Sequence, residues 1–206
     1  NQGNADSKLA KHLEEFPFLK DRASLFAPTP DKVRALAQAD EQQDLPKRLQ
    51  VFCLGPLSLL KDGEAVPRKA FKRKKARELF VLLLASPDTF FHREELAAQL
   101  WPEATQKAAL RDFRVALHAL SDALEPKREK NTTAFCIDRQ EERYRLLSDK
   151  LDLDITRFER LVEQDDAQSW EKAVRLYRGP FCEDYPYLEP LEAIRQRYDQ
   201  LYMQVA

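Results

Sequence analysis

Glycine is scarce in this chain. Its 206 residues include four, Gly3, Gly55, Gly63 and Gly179, and all are isolated from one another. A loop that cradles nucleotide phosphates needs glycines grouped at set spacings, so neither a dinucleotide- nor a nucleotide-binding loop can be assembled here. The three histidines, His12, His92 and His118, have no cysteine or carboxylate at metal-ligand spacing. No serine sits in a nucleophile elbow. The carboxylate pairs Glu94/Glu95 and Asp165/Asp166 fall on helix starts or loops. No constellation nominates a reaction, so the chain is expected not to be an enzyme and to need no cofactor or metal.

Cysteine and long apolar runs are also sparse. Cys53, Cys136 and Cys182 are odd in number, far apart and set among apolar or aromatic neighbours. That suits reduced, buried thiols of a cytoplasmic protein better than a disulfide or metal site. No apolar run approaches the roughly 18 residues that span a bilayer. The longest, 79–85, reads as the buried part of a helix, and the start has no signal-peptide pattern. A membrane partner is therefore not expected.

Charge is plentiful but uneven. Residues 1–48 are neutral overall, residues 49–150 carry 19 basic and 15 acidic side chains, and residues 151–206 carry 7 and 12. A basic middle (net +4) and an acidic last part (net −5) imply two domains with different partners. The chain starts at Asn1 rather than Met and stops inside the helical pattern RQRYDQLYMQVA. More protein is expected on at least one side.

Residues 1–48 read as a linker or the end of an upstream domain, with helical patterns at KLAKHLEEF and DKVRALAQADEQQ broken by prolines. From Leu49 the pattern changes. LQVFCLGPLSLL predicts two short strands, and the turn Lys61-Asp62-Gly63 leads into a third at 64–66. A helix follows over 75–85 and ends before Pro87. Its approach, 68–77, holds seven basic residues and no acid, among them Lys72, Arg73, Lys74 and Lys75. Such a run is either solvated or set against an anion such as a phosphate backbone, which would offset the unfavourable helix dipole.

Phe90-Phe91 predicts a strand. The stretch REELAAQLWPEATQKAALRDFRVALHALSDALEP then reads as two helices joined by a short corner. In the second, Leu110, Phe113, Leu117, Leu120 and Leu124 form an apolar stripe. At roughly 100° per residue, Lys107, Arg111, Arg114 and His118 fall on a narrow arc nearly opposite it. The arc is either an ordinary solvated face or the groove-reading side of a recognition helix, since a major groove about 12 Å wide admits a helix. After the polar loop KREKNTTA, AFCID and RYRLL predict a hairpin carrying Arg139 and Arg143 near its tip. It is either solvent-facing or a wing. Past Lys150 the strand patterns stop, and three helical patterns follow. Their aromatics Trp170, Tyr177, Tyr198 and Tyr202 are expected to pack between helices.

In this order, LQVFCLGPLSLLKDGEAV, KRKKARELFVLLL, REELAAQLWPE and ALRDFRVALHALSDALEP resemble the OmpR/PhoB-type winged helix, in the version found in Streptomyces antibiotic regulatory proteins. LDLDITRFERLV and AVRLYRGPFCEDY resemble the bacterial transcriptional activation domain that follows it, an array of tetratricopeptide-like hairpins. The resemblance implies an α+β fold. Residues 49–150 would be a winged helix-turn-helix domain with an N-terminal sheet and a wing, and 151–206 the start of an all-α domain. It also implies a DNA-binding transcriptional activator whose helix 107–124 enters the major groove of double-stranded DNA. The hairpin 135–147 would reach the minor groove, the corner 102–106 would face RNA polymerase, and two copies could bind tandem sites. Arg111 and Arg114 would meet base edges or phosphates. Lys72 to Lys75, Lys107, Arg139 and Arg143 would meet phosphates. Where the family usually has an arginine after the leucine matching Leu120, this chain has Ser121. That departure leaves open a protein-interaction scaffold whose winged helix no longer binds DNA.

Overall fold

The computed structural model describes residues 49–129 and 131–206, which belong to one compact unit. The helical patterns expected within 1–48 lie outside the described residues. Among the described residues the fold is mixed α+β, with six helices and two small sheets.

The first sheet begins with β1 (Leu49–Phe52) and β2 (Ser58–Lys61), antiparallel with Leu49 opposite Lys61 and Phe52 opposite Ser58. The turn at Asp62-Gly63, both at positive φ, leads into β3 (Glu64–Ala65), where the expected third strand lies. A 3₁₀ turn at Arg68–Phe71 precedes α1 (Lys74–Leu84). Every α1 residue from Ala76 to Leu84 is buried, so this helix runs through the core instead of lying across it.

β4 (Phe91–His92) leads directly into α2 (Arg93–Leu100). His92 caps the helix: its Nδ1 accepts from Glu94 N (3.5 Å), while Glu95 Oε2 accepts from His92 N (3.0 Å). The corner 101–105 then turns into α3 (Gln106–Leu124), capped by Thr105 Oγ1 accepting from Ala108 N. β5 (Ile137–Gln140) and β6 (Arg143–Leu146) form a hairpin around Glu141-Glu142, with Glu141 at φ 55°. β6 also pairs with β4, giving a second sheet in the order β4-β6-β5.

The expectation that strands stop after Lys150 is corrected here. β7 (Asp152–Leu153) pairs parallel to β1, giving the first sheet the order β3-β2-β1-β7. Phe181 bridges to Leu54 and Gly55 on the same sheet's continuation. The acidic last part of the chain therefore shares a sheet and a core with the basic middle. Three helices follow, α4 (Asp154–Glu163), α5 (Ala167–Leu176) and α6 (Glu192–Val205). α5 packs on both α4 and α6. Their aromatics fill the gaps between them: Tyr177 stacks on Tyr202 at 4.3 Å and Phe158 meets Tyr198 edge-on at 6.2 Å. Trp170 is half-buried.

Asp154, 1% exposed, fastens the two parts together. Both its carboxylate oxygens accept from Cys53 N at 2.9 Å, Oδ2 also accepts from Leu54 N at 3.0 Å, and Arg178 stands 3.7 Å away. All three cysteines are buried and unpaired. Cys53 Sγ donates to Asp154, and burial pushes the Cys136 thiol up to about 12. Gly55 packs closely against the segment at Arg178. At φ 114°, an added Cβ would sit 3.1 Å from Arg178 Cβ. Gly55→Ala should cost about 2 kcal/mol in urea unfolding. A change within about 0.5 kcal/mol would contradict this close packing.

Candidate nucleic-acid interface

α3 has one side in the core, built from Ala109, Phe113, Ala116, Leu120, Ala123 and Leu124. Leu110 and Leu117 of the expected stripe are only half-buried and flank it. The stripe is thus centred about one alanine row away from where the leucines alone would put it. On the opposite side Lys107, Arg111, Arg114 and His118 are all exposed and share one arc. Lys107 and Arg114 have no ion-pair or hydrogen-bond partner among the described residues. Arg111 Nε donates to its neighbour Asp112 at 2.9 Å, an exposed pair that constrains it little. That hydrogen bond holds the Asp112 carboxyl below its ordinary range.

Three basic side chains converge on Asp122, one turn beyond His118: Arg128 at 2.6 Å, His118 at 3.3 Å and Lys72 at 3.4 Å. Partial burial opposes its charge, but the Arg128 hydrogen bond and the basic groups around it outweigh this and keep the carboxyl below its ordinary range. The Lys72 contact also brings the basic run beside α3. Lys72, Arg73 and Lys74 are exposed and Lys75 half-buried. Lys75 and Lys74 pair with Glu78 at 2.7 and 3.6 Å, which offsets much of their conflict with the α1 dipole. Two members of the seven-residue run are not available to a partner in the way the sequence implied. Arg77 is buried, with one guanidinium nitrogen donating to Leu57 O at 2.7 Å, and Arg68 pairs with Asp184 at 2.5 Å.

The hairpin is fixed to α3 by Tyr144, whose ring meets Phe113 edge-on at 5.3 Å. Arg93 ion-pairs with Glu142 and Arg93 N donates to Glu142 O, which pins the turn. Arg139 is exposed, lies over Tyr144 and donates from Nε to Glu141 O at 3.0 Å. Arg143, also exposed, lies over Phe90. Both are held by their aromatic bases with their charges accessible. Sequence reasoning overlooked Arg145, which stacks on Phe90 at 4.4 Å and pairs with Asp138; the alternation of RYRLL already put it on the face opposite Tyr144.

Ser121 is 1% exposed, and its Oγ has no hydrogen-bond partner. It is an interior position, so its identity removes no cation from the exposed arc. Ser121→Ala should stabilise the fold by about 1 kcal/mol in thermal unfolding, because a buried hydroxyl without a partner is unfavourable. A loss of stability would reveal a bond that this geometry lacks.

No protein-family model and no curated protein matches the chain. Among solved structures, Mycobacterium tuberculosis EmbR, determined in complex with a low-affinity phosphopeptide, is similar at a TM-score of 0.63 and 20% identity. The match covers 78% of this chain and 44% of that one, so the chain spans less than half the length of EmbR. The two share a fold.

Proposed function

We propose that the chain is a DNA-binding transcriptional regulator, an activator, and not an enzyme. Helices α2 and α3 act as a helix-turn-helix, with α3 in the major groove and β5–β6 as the wing in the adjacent minor groove. The observation that carries this reading is the two-sided character of α3: an apolar face in the core and four exposed cationic or titratable side chains opposite it. Arg111 and Arg114 have the fork geometry that matches guanine edges. Lys107, Lys72 to Lys75, Arg139 and Arg143 contact backbone phosphates. The corner 102–106 faces RNA polymerase, α4 to α6 open a tetratricopeptide-like array, and two copies bind tandem sites. The fold shared with EmbR supports the regulator reading.

Burial of Ser121 weighs against the alternative of a scaffold that has lost DNA, since the arc is unaffected by it. No described helix is long and apolar enough to cross a membrane. The reading is tested by selecting duplex fragments bound by the chain from a genomic library. A shared sequence should emerge among the retained fragments. Fragments no different from the input would contradict a sequence-specific regulator.

A further inference from the structure

Val115 stands exposed on α3, with 39% of its surface open to solvent. The other large apolar side chains exposed among the described residues, Tyr187 and Met203, lie in the last part of the chain, away from this helix. A single exposed apolar residue is ordinary on a protein surface, so its place is what singles it out. At roughly 100° per residue, Val115 falls about 40° from Arg111 and about 60° from His118, on the edge of the exposed arc. Its neighbours one turn away along the helix are Arg111, Asp112, His118 and Ala119. The first three are polar and reach solvent, and the fourth is buried.

The fold supplies no reason for a valine here. α3 meets the core through Ala109, Phe113, Ala116, Leu120 and Leu124, on its other side. Valine is also a weaker helix former than alanine or lysine, because its branched side chain loses rotamer freedom against the preceding turn. Packing and local propensity would both be served as well by another residue. What the position does provide is a pair of methyl groups on a stiff side chain, one turn from the Arg111 guanidinium. The stiffness means that little further freedom is lost when those methyls meet a partner.

The major groove displays hydrogen-bond donors and acceptors together with one methyl group, that of thymine C5. Arginine forks read guanine and leave neighbouring A·T pairs unread. We propose that Val115 is a specificity-determining residue that packs on the C5-methyl of a thymine within about two base pairs of the guanine taken by Arg111 or Arg114. The one turn separating Val115 from Arg111 is about 6 Å along the helix axis, against a rise of about 3.4 Å per base pair. The inference rests on α3 lying in the major groove, and it adds to that reading a base which the arginines do not recognise.

The test uses the whole chain and the duplex selected from the genomic library, with its thymines replaced one at a time by deoxyuridine, which pairs alike and lacks only the methyl. In anisotropy titrations, one replacement within about two base pairs of an arginine-read guanine should weaken binding about fourfold. Val115→Ala should weaken binding to the parent duplex to a similar extent, with an unchanged urea midpoint. On the deoxyuridine duplex Val115→Ala should cause no additional loss, because the contact is already gone. Met203→Ala, an exposed apolar change on α6, should alter none of these affinities. Affinity indifferent to every deoxyuridine replacement, or losses from Val115→Ala and deoxyuridine that multiply independently, overturns the proposal and leaves groove reading by Arg111 and Arg114 intact. A selected sequence with no thymine in that window does the same. Failure to select any shared sequence overturns the proposal and the regulator reading together.

Discussion

Asp154→Ala should lower the unfolding free energy by about 3–5 kcal/mol, the largest effect expected of any single change discussed here. The carboxylate is 1% exposed and accepts from Cys53 N, Leu54 N and Cys53 Sγ. Its loss leaves two buried N–H groups unsatisfied and removes the carboxylate 3.7 Å from Arg178, which already has an unsatisfied nitrogen. As the first residue of α4 it also opposes that helix's positive end favourably. Asp154→Asn should be intermediate, since an amide oxygen keeps one N–H bond while its NH₂ faces donors. Urea unfolding measures both. Asp154→Ala within about 1 kcal/mol of the parent would show that the two parts of the chain do not depend on this clamp.

The second large effect concerns DNA. Replacing both Arg111 and Arg114 by alanine should weaken binding to the selected duplex by about a hundredfold or more, each side chain contributing roughly 1–3 kcal/mol of discrimination. Affinity for random duplex should fall much less. Stability should hardly change, because Arg114 has no partner among the described residues and Arg111 only the exposed Asp112. Anisotropy titrations with both duplexes separate these outcomes. A loss of specific affinity under about threefold would move recognition away from α3.

Much of the local architecture was legible because it is written in local signals. The spacing of Phe113, Leu120 and Leu124 announces α3 and the side it buries, and the breaks at Pro87 and Pro102 bound its neighbours. The hairpin was legible from alternation, although its strands are shorter than the pattern, covering 137–140 and 143–146. Alanines carry little weight in such a reading, so the buried row Ala109, Ala116 and Ala123 was missed and Leu110 and Leu117 were placed too deep. β7 left no trace because it has only two residues and pairs across a separation of about a hundred positions, for which no periodicity exists. Asp154 is the first residue of α4. That its carboxylate enters the core follows only once β1 lies alongside. For the same reason the run at 68–77 gave no sign that Asp184, far along the chain, claims Arg68 and stands 3.6 Å from Arg77.

The proposed DNA interface is most directly tested by the salt dependence of binding to the selected duplex. With about five or six phosphates neutralised by Lys72 to Lys75, Lys107, Arg139 and Arg143, log affinity should fall against log salt with a slope near −5, or roughly a thousandfold between about 50 and 200 mM. An affinity that stays level across that range would contradict the account.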